Sequence, residues 1–163
     1  MNQETKEAPS KLAHPLLTET QLVTLDLMSV QSARYPILDS RNSFESTLTP
    51  SESVRANFFP DERRAVALVS ISVKAEADND LLSEFSAIYR VVYVIKDSYH
   101  GDRLEERAIA FCDSYALAHV WPYWRELLAS LSMRMGLPTI LAPMLIVGAK
   151  GPNPVQTPPT ASE

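Results

Sequence analysis

The groups on which enzyme chemistry would draw are few in this 163-residue chain: three histidines, one cysteine, and a run of carboxylates beside arginines. His14, His100 and His119 never approach the His-x-x-x-His or His-Glu-x-x-His spacing that puts two imidazoles on one helix face, so no zinc site is expected. Cys112 is alone, which rules out an internal disulfide or a cysteine metal cluster. With Ala110, Phe111 and Tyr115 around it, Cys112 reads as a buried, inert thiol. Asp102, Glu105 and Glu106 sit where a helix would start, complementing its dipole, with Arg103 and Arg107 at pairing distance. That is the pattern of a solvated helix face. Gly148–Gly151 lacks the strand-to-helix setting of a phosphate loop, and no Gly-x-Ser-x-Gly elbow occurs. The expectation is a protein that is not an enzyme, with no cofactor and no metal.

Composition narrows the class further. A chain of 18.2 kDa with 45% hydrophobic residues is the size of one domain with a real core. Its net charge of -5 and its single adjacent basic pair, Arg63–Arg64 behind Asp61–Glu62, argue against nucleic acid as a partner. No stretch approaches the roughly 18 uninterrupted apolar residues of a membrane span, and the N-terminus has no signal-peptide core. A cytoplasmic protein without membrane insertion is expected. Residues 1–20 and 150–163 are polar and proline-punctuated and read as disordered tails around a domain at 21–149.

The elements inside that domain change period half-way along. Leu22–Gln31 alternates loosely, with Val23, Leu25 and Leu27 on one side and Thr24, Asp26 and Met28 on the other. Val69, Ile71, Val73 and Ala75 alternate cleanly with Ser70, Ser72, Lys74 and Glu76, as a half-buried antiparallel strand requires. Asp78–Asp80 is turn chemistry, and Glu84–Ile95 returns as the second arm of a hairpin. Ser53–Phe59, closed by Pro60, makes a fourth strand after a long link, Pro36–Glu52. Beyond Gly101 the spacing turns helical, and Val120, Tyr123, Trp124, Leu127, Leu128, Leu131 and Met135 form one stripe. Gly136 and Pro138 end it. The fold class expected is α+β, a four-stranded antiparallel sheet with a long C-terminal helix, or a kinked pair at Pro122, on one face.

One stretch remains unexplained by core packing alone. "WPYWRELLASLSMRMGLPTILAPML" places both tryptophans within four residues, then runs through Arg134, Gly136 and Pro138 into Leu141 and Pro143. This resembles the long helix and following loop of the SecB protein-export chaperones, in the matching positions Trp121, Pro122, Tyr123, Arg125 and Glu126. The element order upstream agrees over about residues 20–146. The resemblance implies an ATP-independent holdase for unfolded or preprotein chains, a homotetramer built as a dimer of dimers, and delivery to the SecA motor. Two departures accompany it. Glycine and proline fill the segment after Ile146 where the family carries a further helix, and the sheet mixes Asp26, Glu76 and Glu84 with Lys74 and Arg90 where the family's docking face is acidic. A SecB-like chaperone for one narrow client, such as an antitoxin, fits those departures as well as general export.

On that resemblance, client-binding walls are expected from the link residues Tyr35, Ile37, Leu38 and Phe44, from Phe58 and Phe59, and from Ile140, Leu141, Met144 and Ile146. Adaptable apolar side chains suit many client sequences better than one shaped pocket. Trp121, Tyr123, Trp124, Leu127 and Leu131 are assigned to the core or a subunit interface, and Arg125 to a structural role. Two other classes stay open: a small-ligand or acyl-binding α+β domain using His119 or Asp113, and an assembly protein with one fixed partner.

Overall fold

Clean alternation in the third and fourth strands fixes the architecture. The computed structural model describes residues 9–35, 47–77 and 80–142. Its elements run α1 (Pro9–Ala13), a 3₁₀ turn (His14–Leu16), β1 (Thr20–Arg34), β2 (Thr47–Phe59), a second 3₁₀ turn (Pro60–Glu62), β3 (Arg64–Ala77), β4 (Asp80–Ile95) and α2 (Leu104–Arg134). All neighbours in the sheet are antiparallel, in the order β1-β4-β3-β2. The α+β layer pair expected from the pattern is present, and β2 starts at Thr47, so the link is shorter than the sequence indicated.

Register explains which side is dry. Ala65, Ala67, Val69, Ile71 and Val73 pair with Tyr93, Val91, Tyr89, Ala87 and Phe85, and every one of them is buried. Paired residues share a face, so this is the side that α2 covers. Ala65, Ala67 and Ala87 let the helix approach, while Val120, Trp124 and Leu128 fill the space above. Trp124 is 1% exposed, and truncating such a side chain costs about 3–5 kcal/mol.

Helix α2 is one continuous element through Pro122, which settles the choice between a long helix and a pair. Gly136 stops it at φ +68, a conformation glycine adopts freely, with Leu137 N donating to Ser132 O at 2.9 Å. The chain then folds back along the helix. Ile140 N donates to Ser132 Oγ at 3.1 Å, Arg125 Nε donates to Ala142 O at 2.9 Å, and Leu137 and Ala142 are buried.

The N-terminal boundary needs correction. Residues 9–16, expected as part of a disordered tail, form α1 and the first 3₁₀ turn and pack on α2. Ala13 and Leu16 are fully buried, which offsets the poor helix propensity of so short a segment. At the same end of the sheet, Arg63 sits at φ +49 and clamps the exit of β4. Its Nη2 donates to Lys96 O at 2.8 Å and to Tyr99 O at 2.7 Å. Among the described residues, no helix is long and apolar enough to cross a membrane.

Candidate functional site

Of the segments read as client walls, one follows β1 and another follows α2. Arg34, the last residue of β1, donates from Nη1 to Met135 O at 2.8 Å, tying the start of the link to the C-terminus of α2. The next residue, Tyr35, is half-buried and donates its N–H to Leu82 O at 3.0 Å. Ile140 packs partly against the core, while Leu141 stands well exposed. Tyr35 therefore follows a residue tied to the end of α2, and Ile140 and Leu141 lie on the segment that folds back along that helix. Ile37, Leu38, Phe44, Met144 and Ile146 lie outside the described residues.

Phe58 and Phe59 do not join them. The register puts Thr47 opposite Glu76 and Phe59 opposite Arg64, so the two phenylalanines occupy the far end of β2. Thirteen residues of strand amount to about 40 Å. Phe58 turns inward onto the core and Phe59 outward to solvent. Among the described residues, Phe58 and Phe59 therefore stand apart from Tyr35 along the sheet.

The helix residues divide more simply. Trp124 is core, and Trp121, Leu127 and Leu131 pack against it at partial exposure. Tyr123 departs from that group and projects into solvent. Arg125 secures the returning segment through Ala142 O, a structural role.

Sequence reasoning missed the face of β1. Bulges between Leu22 and Thr24 and between Leu27 and Ser29 each shift the alternation by one residue. Leu22, Leu25, Leu27 and Val30 consequently share the helix side, opposite Tyr93, Val91, Tyr89 and Ala87. Because α2 lies over β2, β3 and part of β4, Leu22, Leu27 and Val30 remain 40%, 46% and 42% exposed. The signal was available as the looseness of the alternation itself.

The groups weighed for chemistry are held for packing. Cys112 is fully buried, and burial, followed by the Asp113 charge, pushes its thiol up to about 12, so it stays protonated near neutrality. Tyr93 OH and His119 Nδ1 share a hydrogen bond of 2.7 Å that links β4 to α2, and burial lowers the His119 pKa. Burial raises the Asp113 carboxyl. Among the described residues, no group of three or more histidine, cysteine or carboxylate side chains is placed to hold a metal.

With that geometry set out, the comparisons with known proteins become informative. Neither a protein-family model nor a curated protein matches the sequence. Among solved structures, the Mycobacterium tuberculosis Rv1957 SecB-like chaperone, in complex with a ChAD peptide from the Rv1956 HigA1 antitoxin, superposes with a TM-score of 0.71. The match covers 85% of this chain and 96% of that one at 16% identity. This chain has a SecB-like fold. A Streptococcus agalactiae protein of unknown function reaches a TM-score of 0.42 at 6% identity, covering 77% of this chain and 98% of that one, and adds nothing to the assignment. The SecB-like frame puts the fold anticipated from the Trp121–Pro143 motif on a structural footing.

Proposed function

We propose that this protein is an ATP-independent chaperone that holds unfolded polypeptide, without enzymatic activity, in the cytoplasm. The observation that supports the reading is the hydrogen bond from Arg34 Nη1 to Met135 O at 2.8 Å, which ties the end of β1, just before Tyr35, to the C-terminus of α2, just before Leu137–Ala142, on a SecB-like frame. Apolar side chains on two such segments offer a client adaptable walls, and each wall can be weak if several act on one long chain.

Between export and a narrower client, the narrow one is favoured. The superposing SecB-like chaperone is bound to a peptide from an antitoxin. The sheet face that would meet a cationic motor has its carboxylates Asp26 and Glu84 engaged by Arg90 and Lys74 at 2.6 and 3.8 Å. Docking to SecA has correspondingly little support. Assembly into a homotetramer, as a dimer of dimers, is supported by the uncovered apolar side of β1, which a second copy would bury.

Native mass spectrometry with and without a reduced, unfolded client tests both parts. The expected result is an oligomer that gains about one client chain and suppresses its aggregation without ATP. A monomer that ignores the client would end the proposal.

A further inference from the structure

Beyond Gly136 the sequence Leu-Pro-Thr-Ile-Leu-Ala drops the helical period and takes on the chemistry of a strand. Pro138 holds the residue before it out of the helical region, and Thr139 and Ile140 are β-branched. Two contacts pin this piece to α2. Ile140 N donates to Ser132 Oγ at 3.1 Å, and Arg125 Nε donates to Ala142 O at 2.9 Å. Ser132 is fully buried and donates in turn to Ala129 O at 3.0 Å, which aims its oxygen at Ile140. Ser132 and Arg125 are seven residues apart on α2, about 10 Å of helix. The two residues from Ile140 to Ala142 approach that span only when drawn out at about 3.3 Å each.

Alternation decides what the other side offers. In an extended chain, successive residues turn their N–H and C=O to opposite sides. Ile140 and Ala142 turn theirs to α2, so Thr139 and Leu141 turn theirs away. Both are exposed, and among the described residues neither has a main-chain partner. Pro138 does not interrupt this row, because it has the parity of Ile140 and its missing N–H falls on the α2 side. Thr139 and Leu141 thus offer N–H and C=O groups at the spacing of an antiparallel ladder, on a short edge whose back is fixed to the helix.

Whatever pairs with such a row brings main-chain donors and acceptors of its own. A helix has committed them internally, and so has the interior of a sheet. The chain's own end carries Pro152, Pro154, Pro158 and Pro159, each without a donor. Three residues are too few to join two folded subunits, whose stable contacts take about 800 Å² from each side. They suffice for one of several weak grips on a long extended chain. Main-chain pairing also reads no side chains, which suits clients of unrelated sequence.

We infer that Thr139–Leu141 is a docking edge to which an extended client segment adds as a strand, with Ser132 and Arg125 as the positioning residues that hold it. The inference rests on the chaperone reading and specifies how that site grips main chain.

Fluorescence anisotropy with the full-length protein provides the test. The probe is a labelled peptide of about eight residues alternating valine and serine, compared with the same peptide N-methylated at its central residues. N-methylation keeps every side chain and removes the donors, so it is expected to weaken binding about tenfold. Leu141→Ala, which loses only a side chain, should weaken the plain peptide about threefold, and Leu141→Pro, which also loses an outward N–H, about tenfold or more. Arg125→Met should bring the two peptides together, and Arg125→Lys, which can still donate to Ala142 O, should keep them apart. Far-UV circular dichroism checks folding; should Leu141→Pro unfold the protein, the two peptides on wild type still decide. Equal binding of the two peptides, or Leu141→Pro binding no more weakly than Leu141→Ala, would overturn the inference. An oligomer that dissociates on Leu141→Pro without peptide would assign the edge to a second copy and overturn it too. If the two peptides bind alike while wild type still suppresses aggregation of a reduced, unfolded client, the edge is lost and the chaperone reading stands. If wild type neither binds peptide nor suppresses aggregation, both fall.

Discussion

The two edges of this sheet are built differently. β2 carries Pro50, Glu52 and Arg55, and α2 lies over it. Proline removes a ladder donor and charges discourage a foreign strand, the usual means of guarding an edge. β1, at the other edge, runs fifteen residues without proline or lysine and leaves Leu22, Leu27 and Val30 uncovered on its helix side. Its bulges add twist, yet they are also what gathers those side chains onto one face. Among the described residues, one edge carries proline and charge and lies under α2, and the other carries exposed apolar side chains; if the protein self-associates, a two-fold copy of β1 would cover them.

The largest expected effect separates the covered half from the open one. Trp124→Ala removes a sealed aromatic and should lower the unfolding free energy by about 3–5 kcal/mol. Leu27→Ala, on a side chain already 46% exposed, should cost a monomer about 1 kcal/mol or less. Urea denaturation at several protein concentrations reads both. If the Leu27→Ala loss equals that of Trp124→Ala and is independent of concentration, β1 is covered within its own chain.

Lysine on the open edge should act on association instead. Leu27→Lys changes both sides of a two-fold contact, so about 1.5 kcal/mol from each side becomes about 3 kcal/mol, roughly two decades in Kd. Native mass spectrometry should show the oligomer shift to smaller species, with far-UV circular dichroism unchanged. Arg55→Lys, on the guarded edge, should leave the assembly intact. An oligomer indifferent to Leu27→Lys would move the subunit contact away from β1.

What could be read from the sequence tracks how strongly each residue's environment was dictated. Val69–Ala75 and Phe85–Tyr93 alternate without interruption because one face is dry and the other wet, and both strands were legible. β1 was placed correctly, but its faces were scrambled, because each bulge inverts the alternation beyond it. Residues 9–16 escaped because a helix of five residues has no period to detect; only burial of Ala13 and Leu16 on α2 holds it. Tyr123 shared the stripe of Trp124 yet faces solvent, since consecutive helix residues point about 100° apart and the buried row is Ala116, Val120, Trp124 and Leu128. Of the candidate site, the neighbour of Tyr35 is tied to the end of α2 by Arg34, a contact between residues 101 apart that no local pattern announces, while Ile140 is held by Ser132.

The smallest effect lies on the border between the two halves. Tyr93, opposite Leu22 of β1 and Ala65 of β3, shares its hydroxyl with His119 of α2 at 2.7 Å. Neutral imidazole accepts at Nδ1; the protonated ring cannot, and burial lowers the His119 pKa below its ordinary 6.5. Between that lowered value and 6.5 the unfolded chain binds more protons than the folded one, so stability rises with pH across the window and is lost as pH falls through it. Asp113, on the same helix, opposes this. Burial raises its pKa above 3.8, so its ionisation weakens the fold as pH rises, and the difference between wild type and His119→Gln isolates the histidine. Urea midpoints at about pH 7.5 and about pH 5.5 should separate in wild type and converge in His119→Gln. If a second copy covers β1, that separation should widen with protein concentration, because closing the open edge buries Leu22, the strand partner of Tyr93, and so deepens the desolvation around the Tyr93–His119 hydrogen bond. A separation that stays constant over a hundredfold range of concentration would leave the border, and with it the open half, facing water.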